Sequence, residues 1–391
     1  MNYLATIDRL NSIDTGYKRH VLVSGADKYL KDKAFEHYVS ASSNNIVLID
    51  FGTAMRESLD ARYSSDYTIL NFMEIENLFP NPLRDVKTLM GKSNIRFLAD
   101  CLGFDESKKG KLVKYIEIIK QLVDMEKEDS SCRGILLNEL HQFSTNSKVS
   151  KKLDVLRDSG KISEEDFMDL TNHYCEVSDV GADFEYGFQM LEPLFADDSE
   201  CTLEKLNDKT ILYLPMGILS QDVKLQETIL GLLLYALKMS PKLNNFFVIV
   251  NDVGQGARNA IYNFLITLPS QIEKACFTED VFTMCGDNNI GDMLNKFEMQ
   301  LFSRHNQMLS CEQLEKLGGE VKVTHQSLTV THDYRISANS ILDMLLQRDK
   351  TEAYINHAPV WEKRFRKEEI AELNTGSFLL WQNGDMSLCN L

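Results

Sequence analysis

Much of what makes a function readable is missing from this sequence. Its eight cysteines, at 101, 132, 175, 201, 276, 285, 311 and 389, form no CxxC pair. That spacing excludes a zinc ribbon and argues against a disulfide framework. No apolar run approaches the roughly 18 residues needed to cross a bilayer, and the longest, Ile229 to Leu237, is broken by Gly231. The opening MNYLATIDRLNSIDTGYKRH lacks the apolar core of a signal peptide, so a cytoplasmic location is expected. Basic residues are few: 42 Lys and Arg face 58 Asp and Glu, a net charge of −16. A free duplex-binding surface usually carries a basic excess instead. There is no internal repeat, no low-complexity stretch and no GxSxG elbow. What remains is ordinary globular composition, 43% hydrophobic and 26% charged over 391 residues, enough for two or three structural units.

The apolar pattern predicts an α/β chain. Residues 1–19 read as a short helix and linker. His20–Ser24 is a buried strand running into Gly25, a helix follows over Lys31–Ala41, and Asn45–Phe51 is a second buried strand. Strand, helix and strand within about thirty residues mark a parallel sheet. From 84 to 180 the pattern turns helical. Over Lys111–Lys127, Leu112, Tyr115, Ile116, Ile119, Leu122 and Val123 share one face. Arg133–Phe143 and Ser163–Cys175 read as further helices, with Ser163 and Asp166 spaced as a cap. Strands return at Thr210–Pro215 and Asn245–Val250, around an apolar helix at Leu225–Lys238. Phe277–Cys285 reads as a strand and Asp292–Ser310 as an amphipathic helix with Leu294, Phe297, Leu301 and Met308 inward. Glu320–Thr331 and Ser377–Gln382 read as late strands. The expected organisation is a core from 20–83 and 181–391 around an all-helical insertion at 84–180.

The first strand-to-helix turn is where a phosphate loop would lie. That loop requires GxxxxGK[ST]: glycines turn backbone N–H groups to the phosphates, Lys reaches the outer oxygens, and a hydroxyl holds Mg²⁺. The matching frame is Gly25-Ala-Asp-Lys-Tyr-Leu30-Lys31-Asp32. Gly25 and Lys31 are in place, but Leu30 stands for the second glycine and Asp32 for the hydroxyl. An ordinary strand-to-helix turn accounts for the same residues. An unpaired carboxylate about 4 Å from a phosphate charge would cost on the order of 4 kcal/mol at an effective dielectric near 20. A second candidate is the end of the most apolar strand, Asn251-Asp252, where a pair of acids would hold Mg²⁺ through water and polarise a nucleophile. Here the first acid is an amide; Asp252 is placed to act as a base, or equally as a strand-end cap. Arg258, after Gly254-Gln-Gly256, reads as an arginine on the loop leaving the acidic-strand end or equally as a surface arginine, and Arg304 and Arg335 are arginine-finger candidates by analogy only. The histidines show no ligand spacing, since His325 and His332 fall on opposite faces of a strand; no structural metal is expected.

The order of these elements resembles the FtsK/HerA-type RecA-like P-loop ATPases, and within them the TraG/TraD-like coupling ATPases of conjugation and type IV secretion. The resemblance rests on several segments in sequence order. They are the strand-loop 20–32, the strand 46–51, Tyr67–Phe72 leading to Asn81-Pro82-Leu83, the helical insertion, and the strands ending at Pro215 and Asp252. Leu301-Phe-Ser-Arg304 through Leu317-Gly318, Phe365–Leu373 and Gly376–Trp381 resemble the family's closing segments. The chain departs from the pattern at Leu30, Asp32 and Asn251. It also departs at the end of the sensor strand, where Met284-Cys285-Gly286-Asp287 replaces the usual glutamine.

The resemblance implies a RecA-like core with a mainly parallel sheet plus the all-helical insertion. It implies a subunit of a conjugative DNA transfer or type IV secretion apparatus. The departures favour a noncatalytic docking or scaffold role over an active DNA or protein motor; an unrelated α/β binding protein is the third reading. Cofactors are then none, or weakly held ATP and Mg. Expected partners are other subunits of the apparatus and basic proteins such as a relaxase or effector. DNA binding and oligomerisation are left open. Partners would hold the chain peripherally at the inner face of the membrane.

Overall fold

The computed structural model describes residues 20–391 apart from 53–54, 84–85, 127–134, 136, 144, 197–200, 207–208, 220–221, 240–244, 254–257, 287, 334–349 and 383. The helix and linker expected at 1–19, the Gly254–Gly256 loop and Arg335 lie outside the described residues.

Nine strands make one sheet, in the order β13-β12-β9-β1-β8-β7-β2-β6-β3. They are β1 (His20–Ser24), β2 (Asn45–Asp50), β3 (Thr68–Asn71), β6 (Thr210–Pro215), β7 (Phe246–Asn251), β8 (Glu273–Thr278), β9 (Met299–Phe302), β12 (Ser377–Gln382) and β13 (Asp385–Asn390). The pairings from β9 to β3 are parallel; only β12 and β13 add in antiparallel fashion at one edge. The continuous apolar character of the inner strands has its cause in two cores. Val21, Val23, Ile46 and Leu48 point into one, while Leu22, Val47 and Ile49 point into the other. Both faces of the parallel sheet are thus covered, because the crossovers between parallel strands lay helices on them.

Helix α1 (Lys28–Ala41) leaves β1 after only three residues. The helical region contains α2 (Leu89–Cys101), α3 (Glu106–Glu126) and a long α4 (Glu164–Leu191), with a shorter helix at Asn146–Asp158 between them. The α3 face read from the sequence is buried throughout. Ser163 and Asp166 form a reciprocal capping box. Helix α5 (Val223–Met239) covers the sheet, and its Tyr235 stacks on Phe97 of α2 with ring centroids 5.4 Å apart. The apolar core of that sheet face runs without a break into the helical region.

The chain enters and leaves that region side by side. Strand β4 (Phe79–Pro80) pairs in parallel with β5 (Phe195–Ala196). The Asn81-Pro82-Leu83 stretch fixes this crossing: Asn81 Nδ2 donates to the Ile135 carbonyl at 2.9 Å, and its Oδ1 accepts from Leu83 N at 2.9 Å.

Two sequence expectations are corrected. Phe277–Cys285 is not one strand: β8 ends at Thr278, and Asp280 caps a short helix over Val281–Cys285. Met284 and Cys285 therefore do not end the sensor strand. Asp292–Ser310 is not one helix. A short helix at Ile290–Leu294 precedes β9, and helix α6 (Met308–Gly318) begins only afterwards. All four β9 residues are buried, so an interior strand had supplied apolar residues at spacings that also suit a helix. The strand at Glu320–Thr331 is part of β10 (Glu320–Asp333), which pairs with β11 (Lys350–Lys363) in a separate antiparallel ribbon.

Candidate functional site

Open parallel sheets carry their ligand sites at the carboxyl ends of the strands. Two polar clusters lie there, one after β1 and one after β2 and β7.

At β1 the loop is short. Gly25 takes φ +139°, and a Cβ there would fall 2.0 Å from Ser303 Oγ, so only glycine fits. The backbone N–H groups of Gly25, Ala26 and Asp27 donate to Thr278 O at 3.1 Å, Arg304 O at 2.8 Å and Ser303 Oγ at 3.3 Å. Asp27 caps α1: its Oδ1 accepts the N–H groups of Tyr29 and Leu30, and its Oδ2 accepts that of Gly376 at 2.7 Å. Amides that would face a phosphate are thereby turned to acceptors of the chain itself. A buried carboxylate stands where the anion would sit. Leu30 is 1% exposed in the core. Lys31 and Asp32 lie inside α1, not on the loop, with Asp32 exposed. As arranged, these groups do not fit a nucleotide phosphate.

The loop after β9 that closes over this turn is held by His305. Its Nδ1–H donates to the Ser303 carbonyl at 2.8 Å, which leaves Nε2 to accept from the Ser24 hydroxyl at 3.0 Å. Ser24 Oγ in turn accepts the N–H of Val281 at 2.9 Å. Burial holds the His305 pKa below its ordinary value, against the pull of nearby Asp280.

At β2 and β7 the structure brings together Asn251, Asp252 and a residue the sequence reading passed over, Asp50. Asp50 is fully buried; it accepts from Asn251 Nδ2 at 2.9 Å, Gly52 N at 3.1 Å and Tyr213 OH at 3.2 Å. Its pKa is raised, chiefly by burial, with Asp252 adding repulsion. Asp252 is exposed and takes a left-handed φ of +52°. The available signal for Asp50 was its position as the last residue of β2, a buried parallel strand. The arrangement can hold a proton or orient a water between two carboxylates. Asn251 and Asp252 stand two strands from Gly25, with β8 between, about 10 Å at ordinary strand spacing.

Other candidates separate. Arg258 opens the helix Arg258–Thr267, and Arg304 is exposed on the loop over the β1 turn. The densest basic stretch, Lys363–Lys367, is largely neutralised: Lys363 pairs with Glu320, Arg364 with Asp385 and Lys367 with Glu312. Among the described residues no three His, Cys, Asp or Glu gather to hold a metal, and no helix is long and apolar enough to cross a membrane.

The strand order and the mostly parallel pairing, with the added helices, are those of the P-loop ATPase fold. Solved structures of the same fold agree. The bacterial conjugative coupling protein TrwB with sulphate superposes at TM-score 0.54 and 11% identity, over 95% of this chain and 84% of that one. TrwB with ADP and Mg²⁺ gives 0.52 and 12%, over the same shares. No family model matches the sequence, and no curated protein does either.

Proposed function

We propose that this chain is a coupling-ATPase-like subunit of a conjugative DNA transfer or type IV secretion apparatus, of the FtsK/HerA type, serving as a noncatalytic docking body. One observation carries the reading: the amides of the phosphate-loop position are spent on Thr278, Arg304 and Ser303, with the Asp27 carboxylate in the anion's place. The fold shared with TrwB supports the setting, and TrwB itself has been solved with ADP and Mg²⁺ and with a GTP analogue. Its partners are other subunits of the apparatus and basic cargo proteins, which an acidic chain of charge −16 attracts. These partners would hold it at the inner face of the membrane.

A working motor is the second reading, favoured by the two carboxylates, Asp50 and Asp252, beside the β7 end. The two are separated by ATP turnover of the purified chain, with Lys31→Ala as control. The docking reading expects turnover at background in both proteins. Turnover near one per second that vanishes in Lys31→Ala would establish the motor.

A further inference from the structure

A cleft of about 590 Å³ opens beside the helical region, and none of the residues of either strand-end cluster lines it. Its walls are the turn between α2 and α3, the last third of α4 and the start of α5. One wall is thinned by Gly187, where a Cβ would press to 3.1 Å of the Leu102 side chain. The side chains of Leu102, Phe104 and Leu225 are only partly buried, giving the cleft an apolar floor. Tyr186 lines it and is 77% exposed, on a helix whose aromatics Tyr174, Phe184 and Phe188 are buried.

The charge is lopsided. Lys108 donates to Asp183 at 2.7 Å, so that pair cancels. Asp105 and Asp222 remain against Lys224, on a chain that is strongly acidic throughout. Each carboxylate also accepts a backbone N–H at the start of its helix, from Lys108 at 2.9 Å and from Leu225 at 2.9 Å, so both are held at the rim. Phosphate-bearing ligands are repelled by such a rim. An alkylguanidinium suits it in three ways at once: its plane stacks on the tyrosine face, its methylene stem lies on the apolar floor, and its charge meets the negative excess of the rim. The volume holds one or two side chains, and the open mouth lets a main chain pass outside.

We propose that this cleft docks an arginine-bearing, otherwise apolar segment of a basic partner protein, with Tyr186 as the stacking platform. The site stands whether or not the chain hydrolyses ATP, and its test uses no nucleotide.

The measurement is fluorescence anisotropy of a labelled peptide, GSRLRLSG, titrated with the full chain, beside its glutamate counterpart GSELELSG. The arginine peptide should saturate and the glutamate peptide should not. Tyr186→Ala should weaken the arginine peptide about 3- to 10-fold. Lys224→Glu, which removes the competing cation, should tighten it about 3-fold or more. Both side chains are exposed, so thermal melts of the variants should match the parent. Equal binding of the two peptides, or an affinity indifferent to Tyr186→Ala, would overturn the proposal.

Discussion

The Asp27 carboxylate accepts the backbone N–H of Gly376 at 2.7 Å across 349 positions of sequence. The same side chain caps α1, so one buried carboxylate ties the first strand-to-helix turn to the last part of the sheet. Loss of a helix cap costs about 1 kcal/mol, and a hydrogen bond to a charged group adds about 1.5–3. Asp27→Ala should therefore lower unfolding stability by about 2–4 kcal/mol, and Asp27→Asn by less. Urea titrations of the three proteins at one pH check this. Equal midpoints would show that the carboxylate is not a structural anion.

The Asp50 pKa is raised in the folded chain, so folding of its charged form is penalised. That contribution to stability is complete below the ordinary carboxylate value and is lost as pH rises through the higher folded value. Asp50→Asn keeps an acceptor for Asn251 and Gly52 while removing the charge. The variant should gain on the parent as pH climbs from 4 to 7. Urea midpoints at the two pH values give the comparison, and a variant midpoint that falls relative to the parent's toward neutrality would contradict the burial argument.

His305 shifts the other way. Its pKa is lowered by burial, so the unfolded chain takes up a proton first. Stability is complete above the ordinary imidazole value near 6.5 and falls below it, by at most about 1.4 kcal/mol per pH unit for one proton. His305→Gln should flatten this part of the pH profile. Thermal melts between pH 5 and 7.5 report it; identical slopes in parent and variant would assign the acid sensitivity elsewhere.

Duplex DNA should bind poorly. Affinity comes largely from counterions released by Lys and Arg at phosphates, and the densest basic stretch is already ion-paired with Glu320, Asp385 and Glu312. A titration across salt concentrations should find no submicromolar affinity at physiological ionic strength. A tight complex with a steep salt slope would reverse the ranking of protein over DNA partners.

The inner strands were legible because a parallel sheet covered on both faces leaves uninterrupted apolar runs such as Asn245–Val250. The same property hid β9: Met299–Phe302 is as apolar as a helix face, and no Gly or Pro separates it from its neighbours. Asp280 looked like a strand residue because a cap reveals itself only through the amides it accepts. In the Gly25–Asp32 frame the departures at Leu30 and Asp32 were visible from the sequence alone. Its closure by Ser303 and Arg304 depends on a contact across 276 positions, which local spacing does not encode. Asp50 was overlooked for a similar reason, since two of its partners, Tyr213 and Asn251, come from other strands.

Phe79 lies beside Phe195, so the hundred-odd residues between them begin and end almost at one point. Geometrically the helical region is a cassette. Cutting after β4 and rejoining at β5 asks a linker to span little more than one strand spacing, about 5 Å. The chain path itself puts little strain on the sheet, because among the described residues between β4 and β5 no strand joins the nine-stranded sheet. The obstacle to separation is the shared apolar core rather than the chain path. The Tyr186 cleft straddles this boundary: its α2–α3 and α4 walls belong to the cassette, while its α5 wall stays with the sheet.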